Sequence, residues 1–133
     1  MKKIIILTLA LAFGFIANME AQTYKYQTTD FAYKTKNSKG YWSDWSDWEE
    51  VRCLVSISLD RDVINIYSQE PQEFDIYDQD GKSEDNNGSS FSLRCIDKVG
   101  LRCGVRFRKQ DNGVLQLYIE YSDMIYVYCL KEK

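Results

Sequence analysis

The chain has 133 residues, 28% of them charged, a formal net charge of −3 and no histidine. A mildly acidic chain of this size carries no electrostatic footprint for nucleic acid or an anionic membrane surface, and the commonest general base is missing. Ten tyrosines and three tryptophans stand against a single proline, Pro71.

The N-terminus, MKKIIILTLALAFGFIANMEAQ, has two lysines, an apolar run from Ile4 extending to Ala17, and then small and polar residues. It reads as a secretory signal peptide over residues 1–21, with cleavage expected between Ala21 and Gln22. The run falls short of the roughly 20 apolar residues of a membrane span, so no span is expected once the signal is removed. The Lys-Lys start looks bacterial, and the protein is expected in the periplasm or outside the cell. Residues 22–133, 112 of the 133, form the mature chain, with 15 basic and 19 acidic residues and a net charge of −4. That is the length of one domain. It buries roughly two-thirds of its unfolded surface, enough for an ordinary core.

Beyond Gln22 the pattern alternates, and turn residues separate the alternating runs. Tyr24 to Thr35 reads as a weak strand. Val51, Cys53, Val55, Ile57 and Leu59 form one face of a clear strand, with Arg52, Ser56 and Ser58 on the other. Asp60 to Asp62 then turns the chain into Val63 to Tyr67 as a hairpin. Phe74 to Asp78 is a further weak strand. The polar stretch Asp78 to Ser90 reads as the longest exposed loop. Next come Phe91, Leu93 and Cys95, a turn at DKVG, and Leu101, Cys103, Val105 and Phe107. Leu115, Leu117, Ile119 and Tyr121 follow KQDNG, and Ser122-Asp123 leads into Met124 to Leu130.

About eight strands joined by tight turns, with no helical stripe, predict an all-β fold: a small antiparallel β-barrel of about eight strands, with a two-sheet β-sandwich as the alternative. Closure is favoured because it removes the unpaired edges of short strands.

The four cysteines, Cys53, Cys95, Cys103 and Cys129, are disulfide candidates in an exported chain, with three possible connectivities. A three-residue loop at KVG would place Cys95 opposite Cys103 on the inward face. Cys53 and Cys129 lie in inward-facing runs of an early and the last strand, which closure would bring near each other. Their spacings match no zinc pattern.

The segment YWSDWSDWEE sets Trp42, Trp45 and Trp48 at intervals of three. That is the period of polyproline II, in which the three would share one edge. WSDWS resembles the WSXWS box of cytokine receptors, and WSDWSDW resembles the opening of thrombospondin type 1 repeats. The resemblance covers seven residues and implies a local device, a ladder of tryptophans stacked between arginines of a neighbouring strand. Arg102, Arg106 and Arg108 are the candidates here. It does not extend to membership of either family, whose cysteine elements and motif position differ. With Tyr41, the three tryptophans are also the candidate ligand-binding residues, as an aromatic platform for sugar rings or another apolar ligand.

The acidic run Glu70, Glu73, Asp75, Asp78, Asp80, Glu84 and Asp85 lacks the ligand spacing of a calcium loop: Ile76 stands at the first position, and no glutamate stands at the twelfth. No metal and no cofactor is therefore expected. No G-x-S-x-G element appears, and nothing singles out a carboxylate pair, so no catalytic residue is assigned. The expected function is a non-catalytic binding module for an apolar small molecule or a glycan. The alternative is a protein-interaction module, such as a periplasmic inhibitor or a surface-assembly component.

Overall fold

The computed structural model describes residues 23–133, all of them strand, turn or loop. The expected signal peptide and its cleavage site lie outside the described residues. Nine strands follow in order: β1 (Thr23–Thr35), β2 (Glu49–Glu50), β3 (Leu54–Ser58), β4 (Val63–Ile66), β5 (Gln72–Asp85), β6 (Gly88–Asp97), β7 (Arg102–Gln110), β8 (Leu115–Glu120) and β9 (Met124–Glu132). From β3 to β9 each strand pairs antiparallel with the next, and β1 lies between β3 and β9. Eight strands thus close an up-and-down barrel, and the two-residue β2 is an extra strand outside the ring.

An eight-stranded ring leaves an interior just wide enough for side chains to fill. Alternation supplies them: Val55 and Ile57 of β3, Ile64 and Ile66 of β4, Phe74 of β5, Phe91 and Leu93 of β6, Val105 of β7, and Leu117 and Ile119 of β8 are all essentially inaccessible. Each such side chain contributes roughly 1.5–3 kcal/mol by leaving water. The middle of the barrel is therefore a packed core and not a ligand cavity.

Three sequence expectations change. Asp78 to Ser90 is not a loop, because β5 and β6 pair through it as far as Asp85↔Gly88, leaving only Asn86 and Asn87 between them. Its polar residues mislead because this end of the hairpin is solvated, held by backbone pairing and by the cross-strand ion pair Arg94–Asp80 (2.8 Å). The supposedly weak first strand is 13 residues long. Finally, the run from Val51 is interrupted, since β3 begins only at Leu54. Thr28 of β1 clasps the interruption: its hydroxyl donates to the Val51 carbonyl and accepts from the Cys53 N–H at 2.9 Å.

The DKVG turn closes as a three-residue loop. The Asp97 N–H donates to the Leu101 carbonyl, and Gly100 takes φ +91°, a region open to glycine. Cys95 and Cys103 are consequently direct cross-strand partners. All four cysteines are nevertheless free thiols. Asp97 and Leu101 form a hydrogen-bonded pair, so two residues on Cys95 and Cys103 do too, and at such positions opposed side chains stand further apart. Cys53 packs against the core. Cys129 alternates with inward Tyr128 and Leu130 and therefore faces outward, so β1 separates the two thiols by face as well as by position.

Candidate functional site

The tryptophan segment runs antiparallel along the second half of β1. Trp42 bridges Lys36, Ser43 N–H donates to the Thr35 carbonyl (2.7 Å), Ser46 N–H donates to the Tyr33 carbonyl (2.8 Å), and Glu49 faces Phe31. Each serine also turns its hydroxyl onto the same strand residue, accepting from the Thr35 N–H (3.0 Å) and the Tyr33 N–H (2.9 Å). Three residues of the segment thus cover two of β1. A polyproline II triplet would advance about 9 Å, whereas two strand residues advance about 6.6 Å. The geometry is therefore a bulge repeated at every triplet, in which the serine hydroxyl takes the acceptor role that a backbone carbonyl has in an ordinary ladder. The sequence period follows from this: serine to clamp β1, aspartate toward water, and tryptophan to lie over the barrel wall.

Phe31 and Tyr33 face inward, so Ala32 and Lys34 alternate onto the outer surface. Across the strands the outer row continues from Ala32 to Val127, Tyr118 and Arg106. Ala32 and Val127 are only 1% and 2% exposed although they lie outside the interior core. The rings of Trp45 and Tyr118 meet edge to face above that row, with centroids 6.3 Å apart. The cations between the tryptophans are Lys34 of β1 and Lys36, just past its end. Lys34 Nζ lies 5.5 Å from the Trp42 ring and 4.8 Å from the Trp45 ring, and Lys36 Nζ lies 5.2 Å from Trp42.

The expected arginine ladder is therefore corrected. Arg106 stacks on Tyr118 (4.1 Å) and reaches Trp45 only through that ring. Arg102 lies over Tyr77, and Arg108 pairs with Asp85. The segment's nearest strand is β1, not β7, which brings lysines onto the tryptophans and leaves Arg106 behind the Tyr118 ring. The tryptophans are partly covered, at 38%, 42% and 53% exposure from Trp42 to Trp48, whereas Tyr41 is 69% exposed.

A second aromatic group, not singled out in the sequence, lies inside the rim at the end of the barrel where β1 finishes and β9 begins. Phe31 is its centre, with ring centroids 5.2 Å from Tyr128, 5.9 Å from Tyr126 and 6.1 Å from Tyr33. With Met124 these rings wall a depression of about 710 Å³ that opens to solvent. Gln72 fixes two of them. The Tyr126 hydroxyl donates to Gln72 Oε1, and Gln72 Nε2 donates to the Tyr128 oxygen and to Ser68 Oγ, both at 3.1 Å. Burial raises the Tyr126 and Tyr128 phenols above their ordinary range, so both stay protonated.

A neighbouring depression of about 290 Å³ shares Glu70 and Gln72 and reaches Asp97, Lys98 and Tyr121. There the Tyr121 hydroxyl donates to Asp97 Oδ2 at 2.8 Å. Burial pushes the Asp97 carboxyl up. The Tyr121 hydroxyl and the N–H groups of Leu101 and Val99 outweigh that and hold it below the usual carboxylate value. Among the described residues no group of three or more cysteine, aspartate or glutamate side chains is placed to hold a metal ion. No family model, curated protein or solved structure matches the chain.

The rim cluster is not legible in the sequence: strict alternation from the buried Tyr26 and Thr28 would turn Phe31 and Tyr33 outward, and the bulge between Thr28 and Asp30 brings them inward. Their convergence on Tyr126 and Tyr128 requires β1 to pair with β9, across about a hundred residues of chain.

Proposed function

We propose that this chain is a small exported, non-catalytic β-barrel that binds an apolar ligand or a glycan at the open end of the barrel. The observation that carries the reading is the aromatic depression beside Phe31. At about 710 Å³ it falls within the roughly 300–1,000 Å³ of small-molecule sites, and it combines apolar walls with a few fixed polar groups, as such sites do. The packed core below it makes the floor rigid, so binding carries little reorganisation cost. The lack of histidine supports a binding role over proton-transfer chemistry.

Amide shift mapping with cellobiose and with the apolar fluorophore N-phenylnaphthylamine tests this. Saturable shifts centred on Phe31, Tyr33, Gln72 and Tyr126 are expected with one class, weakened in Phe31→Ala. Shifts centred on Trp42 to Trp48 would move the site to the outer tryptophan row. No shift with either would favour the second reading, a protein-interaction module using Tyr41 and Trp48. Those residues are among the most exposed large rings, on a segment outside the closed ring.

A further inference from the structure

We infer that the ligand of the rim depression carries a methylated ammonium group, seated against the rings around Phe31 with Glu70 as its counter-charge. This rests on the depression being the ligand site and adds the ligand's chemical class.

Three features of the wall point to it. The first is charge. Among the described residues lining the depression, Glu70 alone is charged. The adjoining depression adds Glu73 and Asp97 against the single cation Lys98, whose ammonium lies 3.3 Å from the Pro71 carbonyl oxygen. The carboxylates outnumber the cation across the two depressions, so an anionic ligand would meet net repulsion and a cation net attraction.

The second is the rings. Phe31 is inclined by 33° to Tyr33, 47° to Tyr128 and 50° to Tyr126, so the rings do not form a flat stack, and Phe31 and the exposed Tyr33 lie over the buried Tyr126 and Tyr128 at the wall of the depression. The negative faces of such rings attract a cation within about 6 Å, most strongly when it sheds its water cheaply.

The third is the hydrogen-bond inventory. Gln72 spends its carbonyl on Tyr126 and its amide protons on Ser68 and Tyr128. The Ser68 hydroxyl donates to the Glu70 carbonyl at 2.8 Å. An ammonium bearing N–H donors would find Glu70 on one side but would turn its other donors onto ring faces, which accept them poorly. A methylated one has no such need and places its methyl groups on the rings.

The test uses choline and its uncharged isostere 3,3-dimethyl-1-butanol, followed by the amide shifts of residues 31–35 and 124–128. Choline is expected to saturate in the millimolar range, and the isostere to bind at least about tenfold more weakly. Glu70→Gln should weaken choline several-fold and leave the isostere unchanged. Salt should likewise weaken only choline. Phe31→Ala should weaken both, and the exposed Tyr33→Ala serves if Phe31→Ala fails to fold.

Equal affinity for the two probes would overturn the inference while leaving an apolar site at the rim. Silence with both would also overturn it, and the rim reading itself falls only if the glycan and the fluorophore are silent too. Phosphatidylcholine vesicles separate the sources of the group. Cosedimentation displaced by choline places it on a lipid, and choline binding without cosedimentation places it on a free solute.

Discussion

Trp45 is the central ring of its row in contacts as well as in order, since it has Lys34 on one side and the Tyr118 edge on the other. Exposed cation–π contacts contribute roughly 0.5–1 kcal/mol and aromatic pairs roughly 0.5–1.5 kcal/mol, so Trp45→Ala is expected to cost about 2 kcal/mol in urea unfolding. Trp48→Ala should cost about 0.5 kcal/mol or less, the usual range for a surface substitution. A double-mutant cycle should find coupling between Trp45 and Tyr118 and almost none between Trp45 and Arg106. Strong direct coupling to Arg106 would contradict the geometry.

Gly88 is a different kind of residue-scale constraint. A Cβ there would overlap the Lys109 carbonyl oxygen and lie 2.8 Å from Gln110 Cα, both backbone atoms that cannot swing aside. Gly88→Ala should destabilise by roughly 1–3 kcal/mol through forced separation of β6 and β7. A melting temperature equal to that of the native chain would show that the strands part more easily than this.

At the scale of elements, hydroxyl groups supplement the backbone bonds at three points where the chain between residues 42 and 53 follows β1. Ser43 and Ser46 do so for Thr35 and Tyr33, and Thr28 does so for Val51 and Cys53. Replacing Ser43 and Ser46 together with alanine removes two acceptors from β1, at roughly 0.5–1.5 kcal/mol each at most. The more specific expectation is hydrogen exchange: the Tyr33 and Thr35 amides should lose protection while those of β7 and β8 keep theirs. Unchanged protection at both amides would mean the serines are ornamental to the register. The same half of β1 carries Phe31 and Tyr33 into the depression, so loosening it should also weaken ligand binding at the rim.

For the whole molecule, acid sensitivity follows from carboxylates that the fold holds ionised. Asp85 is lowered to about 2, first by its hydrogen bonds from Arg108, and Asp97 is lowered as described above. Both folded values lie below the roughly 3.9 of an unfolded aspartate. Their contribution is therefore complete above the unfolded value and lost as pH falls through the folded one. The melting temperature should be level above about pH 5 and drop between about pH 4 and pH 2. Asp85→Asn with Asp97→Asn should lower it at neutral pH and flatten that drop. A native chain equally stable at pH 2 and pH 6 would rule out both carboxylates as the cause. The drop should be cooperative, because one sheet closed through β1 and β9 has no separable half.

What the sequence alone determined was everything carried by local period. Val55, Ile57, Leu93, Val105, Leu117 and Ile119 are where alternation put them, and the KVG loop opposed Cys95 to Cys103, because a side chain's face is set by its own strand. The WSD triplets were visible as a period of three but not as a clamp, since the partner of each serine lies on β1, reached only after the chain turns back. The polar run Asp78 to Ser90 hid a hairpin because its pairing is backbone to backbone, which composition does not record. The fold also decided which cations meet the tryptophans. Arginines at alternate positions of residues 102–108 satisfied the spacing, but the closed ring puts Lys34 on the nearest strand and Lys36 just past its end. The rim site lies furthest from what sequence shows: Phe31 touches Tyr126 and Tyr128 only because β1 and β9 close the barrel, and Gln72 joins them from β5 across its open end. Local pattern sets the direction of each side chain, and long-range closure sets what it meets.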